Sequence, residues 1–173
     1  MNDLPEAAPA ELDSIDLKIL DLLQRDATLS NQALAEKVGV SSATCLRRVK
    51  RLAEGRMIER TVAILSPERL GFGLTAIVEI TLDHQAAEYL VKFEERAAVD
   101  ESVQQCYRVS PGPDFVLIVQ VMDMAGYNAF AQRMLSLDAN VRNVRTFFST
   151  HRAKFATQIV LPESSLGQAG GAS

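Results

Sequence analysis

The chain of 173 residues has no tryptophan, two cysteines and two histidines. Cys45 and Cys106 are too few for a disulfide framework and suit a reducing compartment. His84 and His151 lie far apart, and neither sits at metal-ligand spacing from a cysteine. A phosphate-cradling Gly-rich loop of either common pattern is missing. Apolar runs stay well short of the roughly 20 residues of a membrane-spanning helix. The start, MNDLPEAAPAE, is acidic and has no apolar stretch like that of a secretory signal. The pairs Glu94, Glu95 and Asp100, Glu101 read as solvated charges rather than catalytic carboxylates. The expectation is a cytoplasmic protein that is not an enzyme and needs no cofactor and no metal. An excess of base is lacking too: 18 Lys and Arg face 22 Asp and Glu, a net charge of −4. That total alone argues against a nucleic-acid partner.

The distribution of charge reverses the argument. Residues 1–12 carry three acids and no base, 13–60 nine bases and seven acids, and 61–173 nine bases and twelve acids. Within 47–60 the bases Arg47, Arg48, Lys50, Arg51, Arg56 and Arg60 meet only Glu54 and Glu59. Because salt screens fields beyond about 10 Å, a local basic patch on an acidic body still holds a polyanion.

Helical signals fill the first third. Residues 1–11, rich in Ala, Pro and acid, read as a flexible terminus. Asp13 is a suitable N-cap with Asp16 three residues on, and Ile15, Ile19, Leu22 and Leu23 follow at helical spacing. Ser30 opens a second helix with Leu34, Ala35 and Val38 inward and Gly39 as its stop. Ser41 caps a third that runs to about Glu54 and ends at Gly55. Three short helices with a glycine turn before the third are the pattern of a helix-turn-helix with a support helix.

After Gly55 the signals turn to strand. Met57, Ile58 and residues 61–65 read as a small wing or linking strand, and Ser66, Pro67, Gly71 and Gly73 mark a linker. Strands are expected at 74–82, 103–109, 115–121 and 141–149, helices at 86–96 and 125–135, and a last β segment at 154–161. That order predicts an α+β protein whose C-terminal part is a ferredoxin-like βαββαβ sandwich, one sheet face covered by two helices. The other face also carries apolar side chains, and no segment remains to cover it, so a second subunit is expected there. The division is 1–11 flexible, 12–73 winged helix-turn-helix and linker, 74–163 sandwich, and 164–173 a Gly/Ala/Ser-rich flexible tail.

At about 100° per residue, Cys45, Val49 and Leu52 share one side of the third helix, and Thr44, Arg47, Arg48 and Arg51 the other. Arg is suited to a reading face because its planar fork meets phosphate oxygens or guanine O6 and N7 bidentately. Ser42 and Thr44 stand at the end that enters a major groove, and Ser30 and Asn31 open the preceding helix, where free N–H groups suit a phosphate. Ser30, Asn31, Ser42, Thr44, Arg47, Arg48 and Arg51 are therefore the DNA-contact candidates. Cys45, facing the core, reads as a small hydrophobe.

These segments together resemble the Lrp/AsnC (feast/famine) family of transcriptional regulators. The likeness runs from the 12–60 helix-turn-helix through SPERLGF, VEITL, CYRVSPGPDFVL and VRNVRTFF, and is nearest the leucine-responsive branch. It implies double-stranded DNA as partner, a C-terminal ligand-sensing domain, and homodimers assembling into tetramers or octamers with an amino acid as small-molecule effector. The family's sensing loop, a Gly, two residues, an Asp and an aromatic, corresponds to residues 110–114. Here Asp114 and Phe115 are in place, and Gly112 stands one position away from the family glycine. An α-amino acid needs an ammonium acceptor and N–H donors for its carboxylate. Asp114 could supply the first and the backbone at Ser110 and Gly112 the second, with Tyr107 and Thr146 as pocket walls. The alternative to the sensing role is that Asp114 only organises the turn. Two alternatives stand beside an effector-modulated regulator. One is an architectural protein that wraps DNA with little sequence preference; the other is an amino-acid enzyme or binding module with a vestigial N-terminal domain.

Overall fold

The computed structural model describes residues 12–136 and 138–162. These divide into two compact units, one of residues 12–63 with 154–162 and one of residues 64–153. By compactness the second unit begins at Ile64, and the last described residues group with the helical unit. The flexible ends expected at 1–11 and 164–173 lie outside the described residues.

The helical unit holds α1 (Ser14–Arg25), α2 (Asn31–Val38) and α3 (Ser42–Glu54). A capping box starts α1: the Asp13 carboxylate accepts from the N–H of Asp16 at 2.9 Å, and the Asp16 carboxylate from the N–H of Asp13 at 3.3 Å. Ser30 and Ser41 accept from the N–H groups of Ala33 and Thr44 at 3.2 and 3.3 Å, satisfying one orphan donor at each helix start. Gly39 closes α2 in the left-handed region at φ 75°, where a Cβ would be strained. At the end of α3 the left-handed residue is Arg56, φ 56°, one position later than expected. Gly55 serves by its smallness instead, since a Cβ there would lie 3.2 Å from the Arg51 carbonyl. Ile19, Leu34, Ala35, Val38, Cys45 and Leu52 form the core.

The second unit is a four-stranded antiparallel sheet, β1 (Leu74–Leu82), β2 (Val103–Arg108), β3 (Phe115–Val121) and β4 (Val141–Phe148), in the order β2-β3-β1-β4. α4 (Ala87–Val99) and α5 (Met124–Ala131) provide the crossovers. α5 gives way to a wider π turn over Gln132–Ser136, where one continuous helix was expected. Alternation assigns the faces: Ala76, Val78, Ile80 and Leu82 of β1 and Phe115, Leu117, Val119 and Val121 of β3 are all buried, and they pack with Phe93 of α4 and Phe130 of α5. Phe93 stacks on Phe115 with ring centroids 4.6 Å apart. Each such phenylalanine contributes about 2–3 kcal/mol through burial.

Two expected β segments are absent. Neither residues 57–65 nor 154–161 form a strand, so the helix-turn-helix has no paired wing. A strand needs a ladder partner, and the described residues supply none to either segment. The backbone of Ile159 is held instead by one side chain: Gln24 donates to its carbonyl at 3.1 Å and accepts from its N–H at 3.0 Å. Both segments expose apolar residues, among them Val62, Ile64, Leu65, Ile159 and Val160.

Candidate functional site

The buried side of α3 is as the wheel predicts. Cys45 and Leu52 are buried and Val49 packs on the same core; burial alone pushes the Cys45 thiol above its ordinary value. The opposite side presents Ala43, Leu46, Arg47 and Lys50 to solvent. Arg47, Arg56 and Arg60 make no ion pair among the described residues, and Lys50 has only a loose one to Glu54 at 3.8 Å. Leu46, 59% exposed, is the member of this face that charge reasoning missed. A leucine between cations on a helix end is suited to a thymine methyl, and its signal was the apolar residue one step outside the buried arc.

Arg48 corrects the reading of α3. Its side chain is only 19% exposed, and Nη1 donates to Asp13 Oδ2 at 2.6 Å and to Asp16 Oδ1 at 2.8 Å. It points toward α1, not toward a duplex. Its wheel position lies at the edge of the buried arc, and the two carboxylates at the start of α1 draw it in. The hydrogen bond it donates to Asp13, foremost among its surroundings, raises the guanidinium above its ordinary value. Asp13 is lowered, first by the Asp16 N–H and then by Arg48. Arg51 is 59% exposed and also donates, through Nη2, to Asp16 Oδ2. Asp16 itself is 0% exposed.

Two of the remaining candidates, Asn31 and Thr44, brace the start of α3. Asn31 donates from Nδ2 to the Ser42 carbonyl at 2.8 Å, fixing the first turn of α3 to the start of α2. Thr44 Oγ1 accepts from the Ser41 hydroxyl at 2.9 Å, so its hydroxyl is part of the cap. Ser30 and Ser42 are exposed, Ser30 with its oxygen on Ala33.

In the sheet unit, Asp114 stands where β3 begins. Its Oδ2 accepts from the Leu82 N–H at 2.7 Å and from Gln85 Nε2 at 3.2 Å, and its own N–H donates to the Ile80 carbonyl at 2.8 Å. The carboxylate thus ties the β2–β3 loop to the end of β1. Ser110 and Gly112 form the exposed tip of that loop, which the Val109 N–H closes onto the Asp114 carbonyl at 3.0 Å. Gly112 takes φ 130°, with nothing within 4 Å of the place a Cβ would occupy. Tyr107 and Thr146 do not share a pocket wall. Tyr107 pairs with Val116, and through it with Glu79, on the open face. Thr146 pairs with Val78 on the helix face, 2.5 Å from the Tyr127 hydroxyl. A groove of about 380 Å³ between α4 and residues 138–140 is lined by Tyr89, Phe93, Arg96 and Asp138, and by none of the five effector candidates.

The open face is mixed. Ile77, Phe147 and Tyr107 are exposed beside Val116 and Ile118, flanked by the pairs Thr75–Gln120 at 2.8 Å and Arg145–Glu79 at 3.3 Å.

Residues 12–53 match the AsnC-type helix-turn-helix domain and residues 75–159 the Lrp/AsnC ligand binding domain. The chain is 38% identical over 149 residues to a leucine-responsive regulatory protein of Rhizobium meliloti, spanning 86% of this chain and 96% of that one. It is 40% identical over 140 residues to a Bkd operon transcriptional regulator of Pseudomonas aeruginosa, spanning 81% and 92%. Among solved structures, an AsnC family regulator from Agrobacterium tumefaciens superposes with a TM-score of 0.81 at 36% identity, covering 86% of this chain and 97% of the other. A transcriptional regulator from Neisseria meningitidis, solved as a complex with L-Met, superposes with 0.82 at 28% identity, covering 88% and 99%.

Proposed function

Because the chain belongs to the Lrp/AsnC family of transcriptional regulators, with helix-turn-helix and ligand-binding domains both present, we propose that α3 reads operator DNA with Arg47, Leu46 and Lys50. Ser30 and Ser42 meet phosphates, and Asn31 and Thr44 hold the helix end that enters the groove. The observation that carries this is the unpaired, outward Arg47 on a helix whose reverse side is anchored by buried Cys45 and Leu52. Arg51 flanks the face, and Arg48 belongs to the scaffold.

The protein acts in the cytoplasm as a homo-oligomer. Its open sheet face and the exposed apolar segments 57–65 and 155–160 support a dimer, and dimers join further into tetramers or octamers. An amino acid bound at the tip Ser110–Gly112 beside Asp114 modulates DNA binding, as the ligand-binding match and the methionine complex of the Neisseria relative suggest. Tyr107 and Thr146 fall outside that site within one chain. A second reading, architectural wrapping without an effector, is favoured by one observation: Asp114 Oδ2 is already satisfied by Leu82 and Gln85.

Selection of duplexes of about 30 base pairs from a random pool, long enough for two half-sites, tests the first reading. Anisotropy on the selected duplex should show a loss of roughly tenfold to a hundredfold for R47A, with a log–log salt slope about 0.9 shallower if Arg47 grips a phosphate. Unchanged affinity for R47A and K50A contradicts it. Titration with each amino acid, against selected and mixed-sequence duplex, separates regulation from wrapping: wrapping gives little discrimination and no response.

A further inference from the structure

Asp16 is a fully buried carboxylate at the start of a support helix, yet both of its oxygens face arginines of the reading helix. Oδ1 accepts from Arg48 Nη1 at 2.8 Å; Oδ2 accepts from Arg51 Nη2 and from the Asp13 N–H at 3.3 Å. The two arginines differ in what remains. Arg48 is mostly covered, bound through Nη1 to the carboxylates of Asp13 and Asp16, and its Nε is buried without a partner among the described residues. Arg51 is 59% exposed, and its Nη1 and Nε make no hydrogen bond among the described residues. It stands one turn beyond Arg47 on the same side of α3, so DNA gripped by Arg47 passes its guanidinium.

We infer that Asp16 is a positioning residue for DNA recognition: it holds Arg51 by one edge of the guanidinium so that the other edge meets a phosphate. This rests on α3 being the reading helix. A free arginine has many rotamers to lose when it makes such a contact; one already clamped by a buried carboxylate has lost most of them beforehand, so the contact costs less. The planar fork suits both jobs at once, since opposite edges of one guanidinium serve carboxylate and phosphate together. An acid at the foot of a basic face, which by charge alone should weaken DNA binding, thereby strengthens it.

A double-mutant cycle on the selected duplex tests this, with each protein checked by hydrogen exchange for an intact helical unit. R51A should lose about tenfold in affinity, D16N a similar amount, and the double variant no more than either alone. D16N combined with R47A should lose the product of the two single effects. If D16N costs the same factor in the R51A background as in the wild type, Asp16 acts only through the fold and the inference falls. If D16N leaves affinity unchanged or raises it, the inference also falls. If R47A binds as wild type does, the reading-helix assignment fails first. A measurement independent of variant folding uses the wild-type protein: guanidinium ¹⁵N signals, with Arg51 assigned from its absence in R51K. Slow rotation of the Arg51 guanidinium in free protein and in the DNA complex supports the clamp; fast rotation in the complex overturns it.

Discussion

The two units of this chain are held together by different means. The sheet unit buries thirteen apolar residues in one cluster, including three phenylalanines, so its stability is spread over many side chains. The helical unit's cluster holds six among the described residues, Cys45 and Ala35 included, with buried Leu17 outside it. With so small a core, the ion-pair cluster of Asp13, Asp16 and Arg48 takes a larger share in fixing α3 against α1. The difference teaches where charge is structural: in the helical unit the arginine nearest the hydrophobic arc supports the fold, and the arginine opposite it makes no ion pair among the described residues.

That comparison can be broken one unit at a time. Phe115→Ala removes a buried ring at the centre of the sheet and should destabilise that unit by about 3–5 kcal/mol. The chain has no tryptophan, so hydrogen exchange resolved by peptide is the suitable measurement. Residues 12–54 should keep their own protection pattern; equal loss in both units would show a single shared core. Asp16→Ala leaves Arg48 with only Asp13 and should cost the helical unit about 3 kcal/mol, with the sheet unit unmoved. The same experiment reads both.

How much of this was legible beforehand follows from the physics of each signal. Local signals read well: the Asp13 and Asp16 capping box, the serine caps and the limits of β1 and β3 depend on residues a few positions apart. Tertiary consequences did not. Asp16 was visible as a capping residue, but nothing in a periodicity shows that its carboxylate also spans to α3. Arg48 sits at the margin of the buried arc, where a long side chain turns either way, and only the facing carboxylates decide. Tyr107 and Thr146 were expected on neighbouring strands, but β2 and β4 are the two edge strands of the sheet, and the register puts the two residues on opposite faces. Residues 57–65 and 154–161 carry strand-forming side chains, yet a strand is made by its partner, and the described residues offer none. Leu46 escaped notice because an apolar residue on a helix is read first as core.

Smaller effects sharpen the contrast. Arg133 donates to Asp100 through Nε at 2.6 Å and Nη2 at 2.8 Å, and these bonds lower the Asp100 carboxyl below its ordinary 3.8. A carboxyl depressed in the folded state contributes stability that is complete above its ordinary value and is lost as pH falls through the folded value. D100N should therefore cost the sheet unit about 1.5 kcal/mol at pH 7 and flatten its acid-induced loss below about pH 4. Melts across pH read both changes, and an unaltered acid limb would assign that loss to other carboxylates. Gly39→Ala, where a Cβ meets open space, should cost the helical unit only the left-handed backbone strain of about 1 kcal/mol.

The central claim is that the outward face of α3 lies against DNA. Replacing Leu46 with the photo-crosslinker p-benzoylphenylalanine tests it most directly, with the same replacement at exposed Val99 in the sheet unit as the control. Irradiation with the selected duplex should join DNA to position 46 and not to position 99. Crosslinking from position 99, with none from 46, would contradict the account.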